Sequence, residues 1–233
     1  MALSMAVPLD RQARTVPACR GRDVIALDLR DQVARWYPQG VHVTEDLVLA
    51  TAYRRERDGS NGGSRLTVLD RASLRYGHVD LGPRIHAGGL AVVGDRAYVA
   101  ATRRGLAVFE LPGLRFLGYE KPAGDLRYSF CSVAAGGGLV VGEYDRRRPG
   151  RLWHDGRTWE GVPQMQGAVH DGSHWWISRS NGPWRRGWLL GPRTRRLPAG
   201  PEDLAFDPDG RTLWTVTEYR GRRCLLALPG VGR

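Results

Sequence analysis

Five copies of one strand–turn–strand pattern, a repeat length near forty residues and the absence of long amphipathic helices predict an all-β fold, a five-bladed β-propeller. The copies open at "YPQGVHV" (37), "HAGGLAV" (86), "SFCSVAA" (129), "QMQGAVH" (164) and "GPEDLAF" (200). Turn signals follow, respectively "TED", "VGD", "GGG", "DGS" and "DPDG". A second apolar run comes next in each: "LVLATAY", "AYVAATR", "LVVGEYD", "WWISRSN" and "LWTVTEY". The fifth residues of the openings, Val41, Leu90, Val133, Ala168 and Leu204, lie 49, 43, 35 and 36 positions apart.

In chain order, residues 1–21 read as an N-terminal extension and 22–233 as one propeller domain, because a chain of this length with 42% hydrophobic content fills a single core. "DVIALDL" at 23–29 is a strand without a repeat of its own. The first unit continues with "RLTVLD" and "YGHVDL", the second with "GLAVFEL" and "RFLGYE", the third with "RLWH" and "RTWEG". The last unit supplies "RCLLAL" at 223–228 and ends a strand short, so the N-terminal strand is expected to complete the last blade and remove its open edge.

The formal net charge is +11, and Lys121 is the sole lysine, so the excess is carried by arginine. The Arg pairs are scattered over the pattern rather than gathered on one face, which argues against a nucleic-acid footprint and fits steering of a small anionic ligand. Three cysteines, Cys19, Cys131 and Cys224, have neither disulfide-framework nor zinc spacing. The N-terminal apolar stretch is broken by Pro8 and Asp10 before an export core forms, and no run reaches the roughly 20 apolar residues of a membrane span. A cytoplasmic protein without membrane association is the expectation.

Aligned in this way, the motifs "YPQGV", "HAGGLAV", "MQGAV...WWISRS" and "GPEDLAF...LWTVTEY" resemble a bacterial five-bladed propeller family commonly labelled secreted proteins of unknown function. The resemblance spans about residues 37–228 and implies the fold, with no catalytic residues to carry over. This chain departs from those relatives in having no recognisable export signal, which leaves room for an intracellular pathway enzyme.

In a propeller the starts of first strands and the ends of second strands meet at one mouth. The starts bring Tyr37, His86, Ser129, Gln164 and Gly200, and two residues on Gln39, Gly88, Cys131, Gln166 and Glu202. Mostly small residues follow (Gly40, Gly89, Ser132, Gly167, Asp203), as expected where backbones crowd an axis. The second-strand ends contribute Tyr53, Arg103, Glu143, Tyr144, Arg179, Glu218 and Tyr219 among others. No two blades present the same set, which suits one asymmetric small molecule.

Glu202 and Glu218 bound one hairpin, and if their carboxyls lie close together, repulsion raises one pKa and makes them an acid and base pair; with His86 they are the proton-transfer candidates. An alternative reading has Glu202 accepting inner-strand amides and Glu218 paired with Arg179 or Arg220. Tyr37, Gln39, Tyr53, Tyr144, Gln164, Gln166 and Tyr219 are candidate substrate hydrogen-bonding groups, Arg103 and Arg179 anion holders, and Trp184 an aromatic cover. Cys131 reads either as a channel-facing group or as a small buried filler. Glu143 would add a third mouth carboxylate, the number a glycoside hydrolase of this architecture uses, although no such motif is present. His42, His170 and His174 lack a second ligand set, so no metal site is expected; phosphate-loop and dinucleotide fingerprints are missing, so no cofactor is expected. The function expected is cofactor-independent acid/base catalysis of the cyclase, lyase or isomerase type on a small, possibly anionic metabolite of specialised metabolism. The alternative is a non-catalytic ligand-binding or protein-interaction propeller.

Overall fold

The computed structural model describes residues 5, 7–16, 25–28, 35–219 and 223–231. Every regular element among them is a β-strand. The N-terminal segment supplies β1 (Arg11–Gln12), β2 (Arg14–Val16) and β3 (Ile25–Asp28). The first blade is β4 (Trp36–Val43), β5 (Leu47–Arg55), β6 (Asn61–Asp70) and β7 (Arg75–Asp80). The second is β8 (Leu90–Val93), β9 (Arg96–Ala101), β10 (Gly105–Glu110) and β11 (Arg115–Glu120). The third is β12 (Phe130–Val133), β13 (Leu139–Gly142), β14 (Arg151–His154) and β15 (Arg157–Glu160). The fourth is β16 (Met165–His170), β17 (Trp175–Arg179), β18 (Gly187–Leu190) and β19 (Arg195–Leu197); β20 (Pro201–Phe206), β21 (Thr212–Thr217) and β22 (Cys224–Pro229) begin the fifth.

Each blade is an antiparallel meander, and the inner strands β4, β8, β12, β16 and β20 pack on their neighbours in a closed ring, giving the five-bladed propeller. Closure follows the expected route. Strand β3 pairs with β22, Leu226 opposite Ala26, and so completes the fifth blade. Residues 11–16, expected as an extension, add outer strands instead: β2 pairs with β3 and β1 with β7. Ala13, between them, is buried against the first and fifth blades.

The core is five hydrophobic clusters, one per interface between blades. Strand alternation feeds two interfaces from one sheet: Leu47 and Leu49 of β5 face the second blade, whereas Val48 and Ala50 face the fifth. In the fifth blade Leu213 packs toward the fourth and Trp214 toward the first. Trp176 and Trp214 are core residues, as their place in alternating second strands implies.

The axis itself is closed by backbone. A Cβ on Gly40, Gly89 or Gly167 would collide with the adjacent inner strand. Gly89 has no left-handed φ, so space alone demands glycine there. We expect Gly89→Ala to press on the amide nitrogen and carbonyl of Cys131 and to destabilise the fold by about 2 kcal/mol or more, read from the urea midpoint.

Candidate active site at the axial mouth

Three inner strands slip register near their first residues, β4 between Pro38 and Gly40, β16 between Met165 and Gly167, and β20 between Pro201 and Leu204. Bulges of this kind re-aim a side chain out of the alternating pattern. The residues at the slips include Gln39, Gln166 and Glu202, which the bulges bring together at the mouth. Glu218 joins them from the end of β21, held by its amide donating to the Gly200 carbonyl at 3.0 Å.

Gln166 Nε2 donates to Glu202 Oε1 at 3.1 Å, and Gln39 Nε2 reaches Glu218 Oε2 at 3.4 Å. The two carboxyls hydrogen-bond each other, and Tyr219 donates to Glu218. Burial pushes Glu202 well above the usual carboxylate range, and the Glu218 and Asp203 carboxylates push it further. Glu218 is also raised by burial, against the hydrogen bonds of Tyr219, Gln39 and Glu202 and the attraction of Arg223. With one proton between them, the favoured arrangement is a protonated Glu202 donating to an ionised Glu218. The alternative reading is therefore not what the fold builds: Glu202 takes a side-chain amide from the fourth blade, and the nearby cation at Glu218 is Arg223, while Arg220 lies outside the described residues.

Glu202 and Glu218 line a cavity of about 300 Å³. Its other walls come from Gln39, Gln166, His86, Tyr144, Arg103 and Arg127, with Thr102 and Ser129 at its edge. An aromatic ladder backs the first blade. Tyr37 stacks on Tyr53 at 5.2 Å between centroids, Tyr53 meets the His86 ring at 4.3 Å, and Arg223 caps Tyr37 at 4.3 Å. Burial, aided by Arg55, lowers the His86 pKa to about 4, so the imidazole is neutral at neutral pH. The Tyr53 and Tyr219 hydroxyls are pushed up, first by burial and then by Glu218, and stay protonated.

Five expected site residues sit elsewhere. Strand β12 carries no bulge, so Cys131 keeps the alternating direction, lies fully buried between the second and third blades, and donates to the Tyr98 carbonyl at 3.4 Å. Glu143 is bound in a fork by Arg151, 2.9 Å and 3.0 Å, and takes the Arg127 amide at 2.9 Å; burial opposes ionisation, yet these bonds hold its pKa below the ordinary value. Gln164 occupies a left-handed hinge (φ 63°) and accepts the Ser180 amide. Arg179 ends β17 opposite Met165, away from the cavity lining, and Trp184 is 91% exposed. Conversely, Arg127 enters the cavity from a loop, and Asp203 is fully buried below it, its Oδ2 accepting the amides of Leu90 (2.9 Å) and Val41 (3.2 Å). An acid among glycines at the crowded axial position was the sequence signal for Asp203; Arg127 had none. No group of three or more His, Cys, Asp or Glu side chains among the described residues is placed to hold a metal ion.

No protein-family model and no curated protein matches the sequence. Among solved structures, the chain is similar to a GH43_1 enzyme from Xanthomonas citri, with a TM-score of 0.58, 13% identity, and 95% of this chain and 91% of that one covered. A gluconolactonase from Xanthomonas campestris matches with a TM-score of 0.51 and 17% identity over 100% and 90% of the two chains. Glutaminyl cyclase from Myxococcus xanthus matches with a TM-score of 0.50 and 16% identity over 84% and 94%. At these identities the likeness is one of fold.

An unfolded Glu202 ionises near its ordinary value of 4.5, whereas the folded side chain keeps its proton to higher pH. Between those values the folded state holds the extra proton, so stability is complete at low pH and declines as pH rises toward the folded value. Glu202→Gln removes that slope. The variant should gain stability over wild type as pH rises above about 5, by up to about 1.4 kcal/mol per pH unit, read from urea midpoints at each pH.

Proposed function

We propose that the protein is a small-molecule enzyme of specialised metabolism that works at the propeller mouth by acid/base chemistry drawn from its own side chains. The observation that carries this reading is the hydrogen-bonded Glu202–Glu218 pair, buried yet facing a cavity of about 300 Å³. Burial that raises a carboxyl toward neutrality costs folding energy and brings the group into the range where general acid/base catalysis is efficient. Glu218, the ionised member, takes a proton from a substrate carbon or heteroatom. The protonated pair then returns a proton to another atom, so the net change is an isomerisation, a cyclisation or an elimination. Negative charge gathering on a substrate oxygen is met by Tyr144, Arg103 and Arg127. Neutral His86 is a weak base and serves as a hydrogen-bonding wall.

A glycoside hydrolase reading, suggested by the carboxylate count and by the GH43_1 fold neighbour, fits the geometry less well. Flanking a glycosidic bond takes carboxyls at least about 5 Å apart. Glu202 and Glu218 are in direct hydrogen-bond contact, and Glu143 is consumed by Arg151. A ligand-binding propeller without catalysis is the second outcome of the same experiment.

A panel of small anionic, polyketide-like and terpenoid compounds is screened by thermal shift, and each stabilising compound is incubated with wild type, Glu202→Gln and Glu218→Gln. We expect a compound that stabilises all three and is converted by wild type, with turnover reduced about 100-fold or more in each variant. Compounds that bind all three equally and are never converted would overturn the enzyme reading and leave a binding module.

A further inference from the structure

Beside the axial cavity lies a second one of about 320 Å³, and the two share His86 and Thr102. The side cavity is lined by Arg84 and Arg104, with Asn61, Ile85 and Ala101 completing it, and no carboxylate borders it. Arg84 has no hydrogen-bond or ion-pair partner among the described residues. The side chain of Arg104 has one contact there, a long 3.5 Å hydrogen bond to the Tyr119 hydroxyl. Some exposed arginines elsewhere meet acids, Arg115 with Glu110 at 2.9 Å and Arg96 with Glu120 at 3.2 Å, and others among the described residues, such as Arg157 and Arg211, do not, so what sets Arg84 and Arg104 apart is their shared place in a concavity beside the axial mouth. The side cavity is thus a concavity lined by two arginines and by no carboxylate.

We infer that this side cavity is the oxyanion-holding subsite of the mouth: Arg84 and Arg104 grip a carboxylate or phosphoryl group of the substrate while its reacting part lies over Glu202 and Glu218. The inference rests on the axial cavity being the reaction site, and it names the substrate class as a small anion with its charged group at one end. Guanidinium forks suit planar carboxylate and phosphoryl oxygens, and Asn61 and Thr102 add neutral donors. His86 lines both cavities, neutral and packed against Tyr53, so that it adds no charge between the held anion and the acid pair. The net charge of +11 concentrates anions at the surface in general; the convergent pair selects where one is retained.

The test is calorimetric titration of the full chain with inorganic phosphate and, separately, with malonate, at low and moderate salt. The proteins are wild type, Arg84→Ala/Arg104→Ala, Glu202→Gln/Glu218→Gln, and Arg157→Ala/Arg211→Ala, which removes the same charge from exposed positions outside both cavities. We expect one anion to bind wild type and the charge control alike, the Glu variant at least as tightly, and the Arg84/Arg104 variant about tenfold or more weakly. Preference for phosphate marks a phosphoryl group, and preference for malonate a carboxylate. Equal binding by the Arg84/Arg104 variant and the charge control overturns the subsite, whatever the fate of the acid/base reading. Arginine-dependent binding with no converted compound keeps the subsite and removes only the chemistry.

Discussion

The structure depends on one constraint, the packing of five inner strands around an axis too narrow for side chains. Where backbones touch, as at Gly40, Gly89 and Gly167, a methyl group has no room. Polar atoms left at these contacts cannot reach water, and most find a partner in the next blade, although Asp203 Oδ1 has none among the described residues. Each interface has such a bond. The Thr51 hydroxyl donates to the Ala87 carbonyl, the Cys131 thiol to Tyr98, Ser132 to Ala168 and Ser178 to Glu202, and Asp203 closes the circle by accepting the Val41 amide. The hydrophobic clusters hold the blades together, while these bonds fix their register around the axis.

That constraint also makes the site. An inner strand that cannot send a long side chain into the axis must bulge, and the bulges at Gln39, Gln166 and Glu202 lift polar groups to the mouth. Two amides and two carboxyls then face one another in a setting shielded from water. Glu202 is almost fully buried but is satisfied by Gln166 and Glu218, so the cost of the carboxyl is met by protonation rather than by an ion pair. Asp203 lies one layer deeper, where burial raises its pKa and the Leu90 and Val41 amides oppose that rise. The same desolvation that endangers the fold raises the pKa values of the Glu202–Glu218 pair.

The repeat was legible because inter-blade packing imposes the same alternation on every unit, and it showed the fold and the closure by β3, while leaving open whether Glu202 and Glu218 meet. Counting residues along a strand does not reveal where the alternation breaks. Position by position, Cys131 aligns with Gln39 and Gln166, yet β12 runs without a bulge and buries the thiol. Glu143 stands at a second-strand end, as Glu218 does, but its fate was decided by Arg151 across the neighbouring strand pair. Arg84, Arg104 and Arg127 were hidden for a different reason. They sit outside regular strands, and among so many scattered arginines only three-dimensional convergence separates a few from the rest.

The mouth therefore has a charge gradient rather than a uniform potential. Glu202 and Glu218 occupy its floor at the axis, Arg103 and Arg127 share that cavity with them, and Arg84 and Arg104 line the neighbouring concavity. An anionic molecule entering such a site is attracted at one end and repelled at the other, so its orientation is set before any shape contact is made. Because the repulsion acts only on charge, the neutral end is the one admitted to the acid pair. Under the proposed function the asymmetry among the five blades has a use: a ring of equivalent residues would give equivalent binding poses, whereas differing groups around the mouth would favour one.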